Sequence, residues 1–143
     1  QFSHGRGGDR HHVTRQGCYD HTPYIWHKGD DRGGGTSSGE TILVNPNGAN
    51  QIKRIIVYTF IYEGVAKWSE TNAVVKVKVP GSDDVIVEMG QQNSNKKFCA
   101  IAQLDFGTDN SITVKKLITF HNGHSDCDKV YGWGFNYSPG SKD

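Results

Sequence analysis

From Tyr24 onward the apolar positions recur in short runs separated by clusters of turn residues, and the runs have the period and composition of strands. "TILVN" (41–45) is short and β-rich, and "NPNGAN" behind it is dense in turn formers. "IKRIIVYTFIY" (52–62) is a near-continuous β-branched and aromatic run, the pattern expected of a central strand covered on both faces. "AVVKVKV" (73–79) alternates, so Val75, Val77 and Val79 are expected inward and Lys76 and Lys78 outward. "PGSDD" then turns the chain into "VIVEM" (85–89). "FCAIAQLDF" (98–106) and "ITVKKLITF" (112–120) flank "GTDNS", a connection of hairpin length. The last candidate is "YGWGFNY" (131–137).

Seven strands at fairly regular spacing, with no convincing amphipathic helix, predict an all-β fold, an antiparallel β-sandwich of two sheets. "VAKWSETN" (65–72) can make one helical turn at most. Residues 1–23 are different. They hold His4, His11, His12 and His21, three arginines and almost no apolar periodicity, so they read as an irregular arm before a domain over 24–143.

Composition narrows the function classes. With 143 residues the chain is long enough to bury a core. Its 16 basic and 15 acidic residues give no electrostatic case for nucleic acid or an anionic membrane. No apolar run reaches the roughly 20 residues that span a bilayer. "QFSHGRGGDR" lacks both an apolar signal core and an initiator Met, so either something upstream was removed or the chain is a piece of a longer one. Cys18, Cys99 and Cys127 make an odd count without a CxxC pair, which argues against a disulfide framework and for a reducing, cytoplasmic interior. Cys99, in "FCAIA", reads as a small core residue.

The chemistry-bearing stretch is "GDDRGGGTSSGE" (29–40). Calcium takes six to eight oxygens in flexible geometry, and Asp30, Asp31 and Glu40 supply carboxylates for it. Gly33, Gly34 and Gly35 let backbone carbonyls turn inward, and Ser37 and Ser38 add hydroxyls. The spacing is not that of an EF-hand. The plainer alternative is a surface turn in which Arg32 pairs with a neighbouring acid. Glu63, at the end of "IYEG", is a second-tier ligand or a solvent-facing strand end.

The stretches "YIWHKGDDRGGGTSSGETILVN", "RIIVYTFIYEG", "WSETNAVVKV" and above all "GHSDCDKVYGWGFNYSPGSK" resemble the TerD superfamily of tellurite-resistance and stress-response proteins, and most of all its TerA branch. The likeness runs from about Tyr24 to Lys142 with the motifs in order. It implies a two-sheet β-sandwich that binds calcium in an acidic loop and has no established catalytic activity. Carried over by position, Asp30, Asp31 and Glu40 fall on that acidic loop, with Ser37, Ser38 and Gly33 beside them. One departure is clear: the acidic "DLD"-type segment usual early in such domains has no counterpart before Tyr24. A sandwich short of a strand exposes an edge, and edges recruit strands from neighbours.

Other constellations carry less. His121, His124 and Cys127 offer zinc-type ligands but lack the tight cysteine pair of structural sites, and Asp126 and Asp128 read as turn residues. Trp133 between two glycines reads as packing in a bend, and Trp68, in a loop beside Glu70, as an exposed contact candidate. There is no GxSxG elbow, and the glycine run lacks the Lys of a phosphate loop. The expectation is a non-enzymatic, calcium-binding stress-response domain, with homo-oligomers or other stress-response proteins as partners. The second reading is a self-assembling structural subunit, an oligomer or filament in which calcium is structural only.

Overall fold

The computed structural model describes residues 10–13, 17–28, 41–61, 64–71, 73–79, 83–109 and 111–137. The chain is all-β in character: eight strands in antiparallel sheets, one α-helix and three 310 turns make up the described secondary structure. This agrees with the β-sandwich expectation. The described residues divide into two compact units, one formed by those up to Lys53 with Phe106–Ser111, the other by Arg54–Asp105 with 112–137.

In the first unit, β1 (Gly17–Cys18), β2 (Ile25–His27) and β3 (Ile42–Val44) form a sheet in that order, with Cys18 opposite Ile25 and His27 opposite Ile42. Neither β1 nor β2 is long enough to show a period in the sequence, so neither is among the expected strands. β1 lies within the stretch read as an irregular arm. Buried Asn45 ties this unit together. Its amide donates to Tyr19 O, and its side-chain oxygen accepts the Asn47 N–H to cap the 310 turn Pro46–Gln51. Within that turn Gly48 lies so close to Tyr24 that an added Cβ would stand 2.3 Å from the ring.

In the second unit, β4 (Arg54–Phe60), β7 (Phe98–Phe106) and β8 (Ile112–His121) form one sheet, and β5 (Val74–Val77) pairs with β6 (Val85–Glu88) in another. The sheet order is β4-β7-β8, which corrects one expectation: the central strand of the described sheet is β7, and β4 flanks it. Burial gives the reason. Phe98 through Ala102 are all buried, whereas every residue of β4 is half-buried. Val75, Val77 and Val79 are more covered than Lys76 and Lys78, as the alternation required. Trp68 is a second correction. It is 4% exposed, donates its indole N–H to Lys96 O and stands edge-on to Phe120, so it is core and not a contact surface.

The third correction concerns the chain end. The stretch 131–137 is not a strand; a helix, α1 (His124–Tyr131), replaces the expected turn, and the chain then folds back along it as an irregular return segment. Gly132 adopts φ 74° and ends the helix in the left-handed conformation that glycine permits. The amides of Gly134 and Phe135 bond to Asp128, so they cannot serve a strand ladder.

A bulge decides what α1 meets. Val57 pairs with Ala102 but Tyr58 with Ala100, leaving Ile101 as the extra residue of β7. The parity of facing residues therefore switches along β7. Phe98 and Ala100 share a face with Gln103 and Asp105, opposite Phe60, Tyr58, Ile56 and Arg54. One end of that face is apolar and lies under α1, where Phe98, Ala100 and Cys127 form a buried cluster with Tyr58, Phe60, Leu117, Tyr131 and Trp133 around it. The other end is ionic: Asp105 accepts from Arg54 at 3.1 Å and lies 3.8 Å from Lys115. Gln103, ahead of Arg54 and Lys115, holds the Asp105 carboxyl below its ordinary range.

Candidate functional site

The 29–40 loop is the site that residue chemistry singles out. Asp30, Asp31, Gly33, Ser37, Ser38 and Glu40 lie outside the described residues, and so does Glu63, so the structure brings none of these candidates together or apart. What the structure describes is the frame of the loop. β2 and β3 run antiparallel into it, His27 pairs with Ile42, and Lys28 N–H donates to Thr41 O at 3.0 Å. The twelve residues between are thus closed at their base by a strand ladder. Bringing the ends of such a loop together costs about 2 kcal/mol of chain entropy, which the β2–β3 pairing offsets in advance.

The frame has its own anchors. Beside β2, the guanidinium of Arg10 stands 4.6 Å from the Tyr19 ring centre and 6.0 Å from that of Trp26. Arg10 O accepts the amides of Tyr19 and Asp20 and the Cys18 thiol, which closes the chain ahead of β2. His11 bonds to Asp20. The sequence reading passed over this cluster, since an Arg stacked on aromatics leaves no periodic signal.

Around α1, the residues weighed as zinc ligands take other parts. His121 shares a 2.8 Å hydrogen bond with the Thr119 hydroxyl, which is also bonded to Tyr131. Burial pushes the Cys127 thiol up to about 11, and Cys99 likewise, so both are protonated at neutral pH. Asp128 is 8% exposed and accepts from the Gly134 and Phe135 amides and the Tyr137 hydroxyl, at 2.8, 2.9 and 2.9 Å. Burial alone would raise its pKa, but these donors outweigh that and hold it below the ordinary carboxylate value. Among the described residues no group of three or more His, Cys, Asp and Glu is placed to hold a metal ion. Asp128 is an organising residue that sequence reasoning took for a turn. The available signal was the i, i+3, i+4, i+7 spacing of His124, Cys127, Asp128 and Tyr131, one helical face written partly in polar letters.

Among the described residues no helix is long and apolar enough to cross a membrane. No family model and no solved structure matches the chain. A curated relative does: tellurium resistance protein TerA from Alcaligenes sp is 34% identical over 126 residues, which is 88% of this chain and 37% of that protein. The chain therefore spans little more than a third of the length of the relative it matches. Together with the antiparallel β architecture and the ordered motifs from Tyr24 to Lys142, this places the chain in the TerD/TerA-like family.

Proposed function

We propose that this chain is a non-enzymatic, calcium-binding TerA-like domain acting in the response to tellurium or general chemical stress. The observation that carries the calcium reading is the closed base of the 29–40 loop. Three carboxylates on a loop whose ends are already joined repel one another, and a divalent cation removes that repulsion without paying for loop closure again. Asp30, Asp31 and Glu40 are the charged ligands in this reading, Ser37, Ser38 and backbone carbonyls near Gly33 complete the shell, and Glu63 is a second-tier candidate. Calcium would order the loop and thereby fix a surface for docking or assembly. Burial of Cys99 and Cys127 as protonated thiols supports a binding role over a reductive one, because the thiolate is the reactive form. Three free thiols suit a reducing cytoplasm.

The test is calorimetric titration of the chelator-stripped chain with calcium, beside a variant carrying Asp30→Ala and Asp31→Ala. Micromolar or tighter binding that the variant loses upholds the reading. Absence of binding in the wild-type chain rejects it.

One observation favours the assembly reading as well. Among the described residues β5 and β6 pair only with each other, and Val74 and Ile86 are 48% and 50% exposed. A two-stranded sheet with open edges can accept further strands. Sedimentation of the chain with and without calcium separates a calcium-gated monomer from a calcium-indifferent assembly.

A further inference from the structure

His124, the first residue of α1, is where the helix meets the sheet. Its ring stands edge-on to three others, at 4.8 Å from Phe98, 5.0 Å from Tyr58 and 5.1 Å from Phe60, with Tyr137 at 5.6 Å closing the fourth side. Its Nε2 is buried and has no hydrogen-bond partner. Gly123, at the N-cap, supplies no side-chain cap. The helix amino terminus also carries the positive end of the peptide dipoles.

A neutral imidazole suits this box and an imidazolium does not. Among the described residues, the titratable groups around it offer no free counter-charge. Tyr58 of β4 and Tyr137 of the return segment are phenols held protonated by burial, and the Tyr137 hydroxyl is already given to Asp128. Cys99 of β7 and Cys127 of the helix are protonated thiols. His121 of β8 is itself disfavoured as a cation, by burial and then by Lys96. On the helix, Asp128 has its carboxylate filled by three donors, and Asp126 is exposed two positions on, away from the face of His124. His124 as a whole is half-buried, but its buried Nε2 side faces rings, whose attraction for a cation offsets only part of the cost of removing that side of an imidazolium from water. Consistent with this, burial holds the imidazole below its ordinary value of 6.5.

We propose that His124 is an acid-sensitive latch: neutral, it seats α1 on the β4-β7-β8 sheet, and protonation unseats α1 with its return segment and uncovers Tyr58, Phe60 and Phe98. The latch is independent of calcium and uses no residue of the 29–40 loop.

Hydrogen exchange of the full chain, followed by mass spectrometry between about pH 5.5 and 7.5 and corrected for intrinsic rates, tests it. The expected result is that amides of 124–137 open about tenfold more often per pH unit below 6.5, until the docked helix itself takes up the proton, while Phe98–Phe106 stays protected. His124→Phe should keep α1 docked and abolish the dependence, and His121→Gln should leave it in place. A flat wild-type profile, the same response in His124→Phe, or joint opening of β7 and α1 overturns the latch. Should His124→Phe fail to fold, NMR titration of the wild-type imidazole decides. A midpoint below 6.5 upholds the latch, and one at or above 6.5 overturns it.

Discussion

Tyr137 donates its hydroxyl to the same oxygen of Asp128, Oδ2, that accepts the Phe135 amide, so one carboxylate fixes both the backbone and the side chain of the return segment. Burial, then the hydrogen bond to Asp128 and the charge of that carboxylate, push the Tyr137 hydroxyl far above its ordinary value of 10. Asp128→Asn removes the charge and keeps the shape. Spectrophotometric titration should find Tyr137 moved down towards 10, and urea denaturation should show a lower midpoint than wild type. An unchanged phenol titration would mean that burial alone sets it.

Acid should loosen the same contact. The Asp128 carboxyl is held below its ordinary value of 3.8 in the fold, so the unfolded chain binds the proton more readily. Its stabilising contribution is complete above 3.8 and is lost as the pH falls below that value. The Asp128→Asn chain should lack this part of the acid sensitivity, measured as the difference in urea midpoint between about pH 5 and 3.

Truncations should grade by position in the α1 cluster. Phe98 is 3% exposed and stacks on Tyr58 at 4.8 Å, so Phe98→Ala should cost about 3–5 kcal/mol by denaturant titration. Phe135 is 49% exposed, and Phe135→Ala should cost about 1 kcal/mol or less. Equal costs would contradict the burial that separates them.

Gly48→Ala tests the first unit alone. The added methyl would meet the Tyr24 ring at 2.3–2.5 Å, so the ring or the 310 turn must shift, at about 1–3 kcal/mol. A variant as stable as wild type would show that Tyr24 is not held there.

The thiols offer a further check. Cys18, Cys99 and Cys127 are all free and fully buried, so a thiol reagent at neutral pH should find none of the three in the native chain and all of them in denaturant. Rapid labelling of the native protein would contradict that burial.

The strand content was legible where burial makes long apolar runs. β7 begins and ends where "FCAIAQLDF" begins and ends, and β8 overruns its reading by one residue, because both are long and bounded by turn formers. β4 was found but misplaced as central, since a run rich in Ile, Val and Phe looks alike whether half-covered or fully covered. The helix was missed because its inward face is His, Cys, Asp and Tyr, residues that register as core only once Asp128 has its donors and His124 its rings. The acidic stretch itself lies outside the described residues, and the Lys28–Thr41 bond stands one residue outside each of its ends. How its carboxylates stand is a matter of ligand and backbone geometry, for which Gly and Ser carry no pattern.

The bulge at Ile101 also bears on chain length. β7 carries one residue more than β4 needs to face it, so this strand holds slack where a regular ladder has none. Losing one residue near position 101 would let the ladder close into even alternation, with Phe98 still under α1 and Asp105 still beside Arg54. The same loss in β4 would turn one end of that strand over, taking either Tyr58 and Phe60 from under α1 or Arg54 from beside Asp105. Between β4 and β7, tolerance to deletion is therefore concentrated at a single buried position.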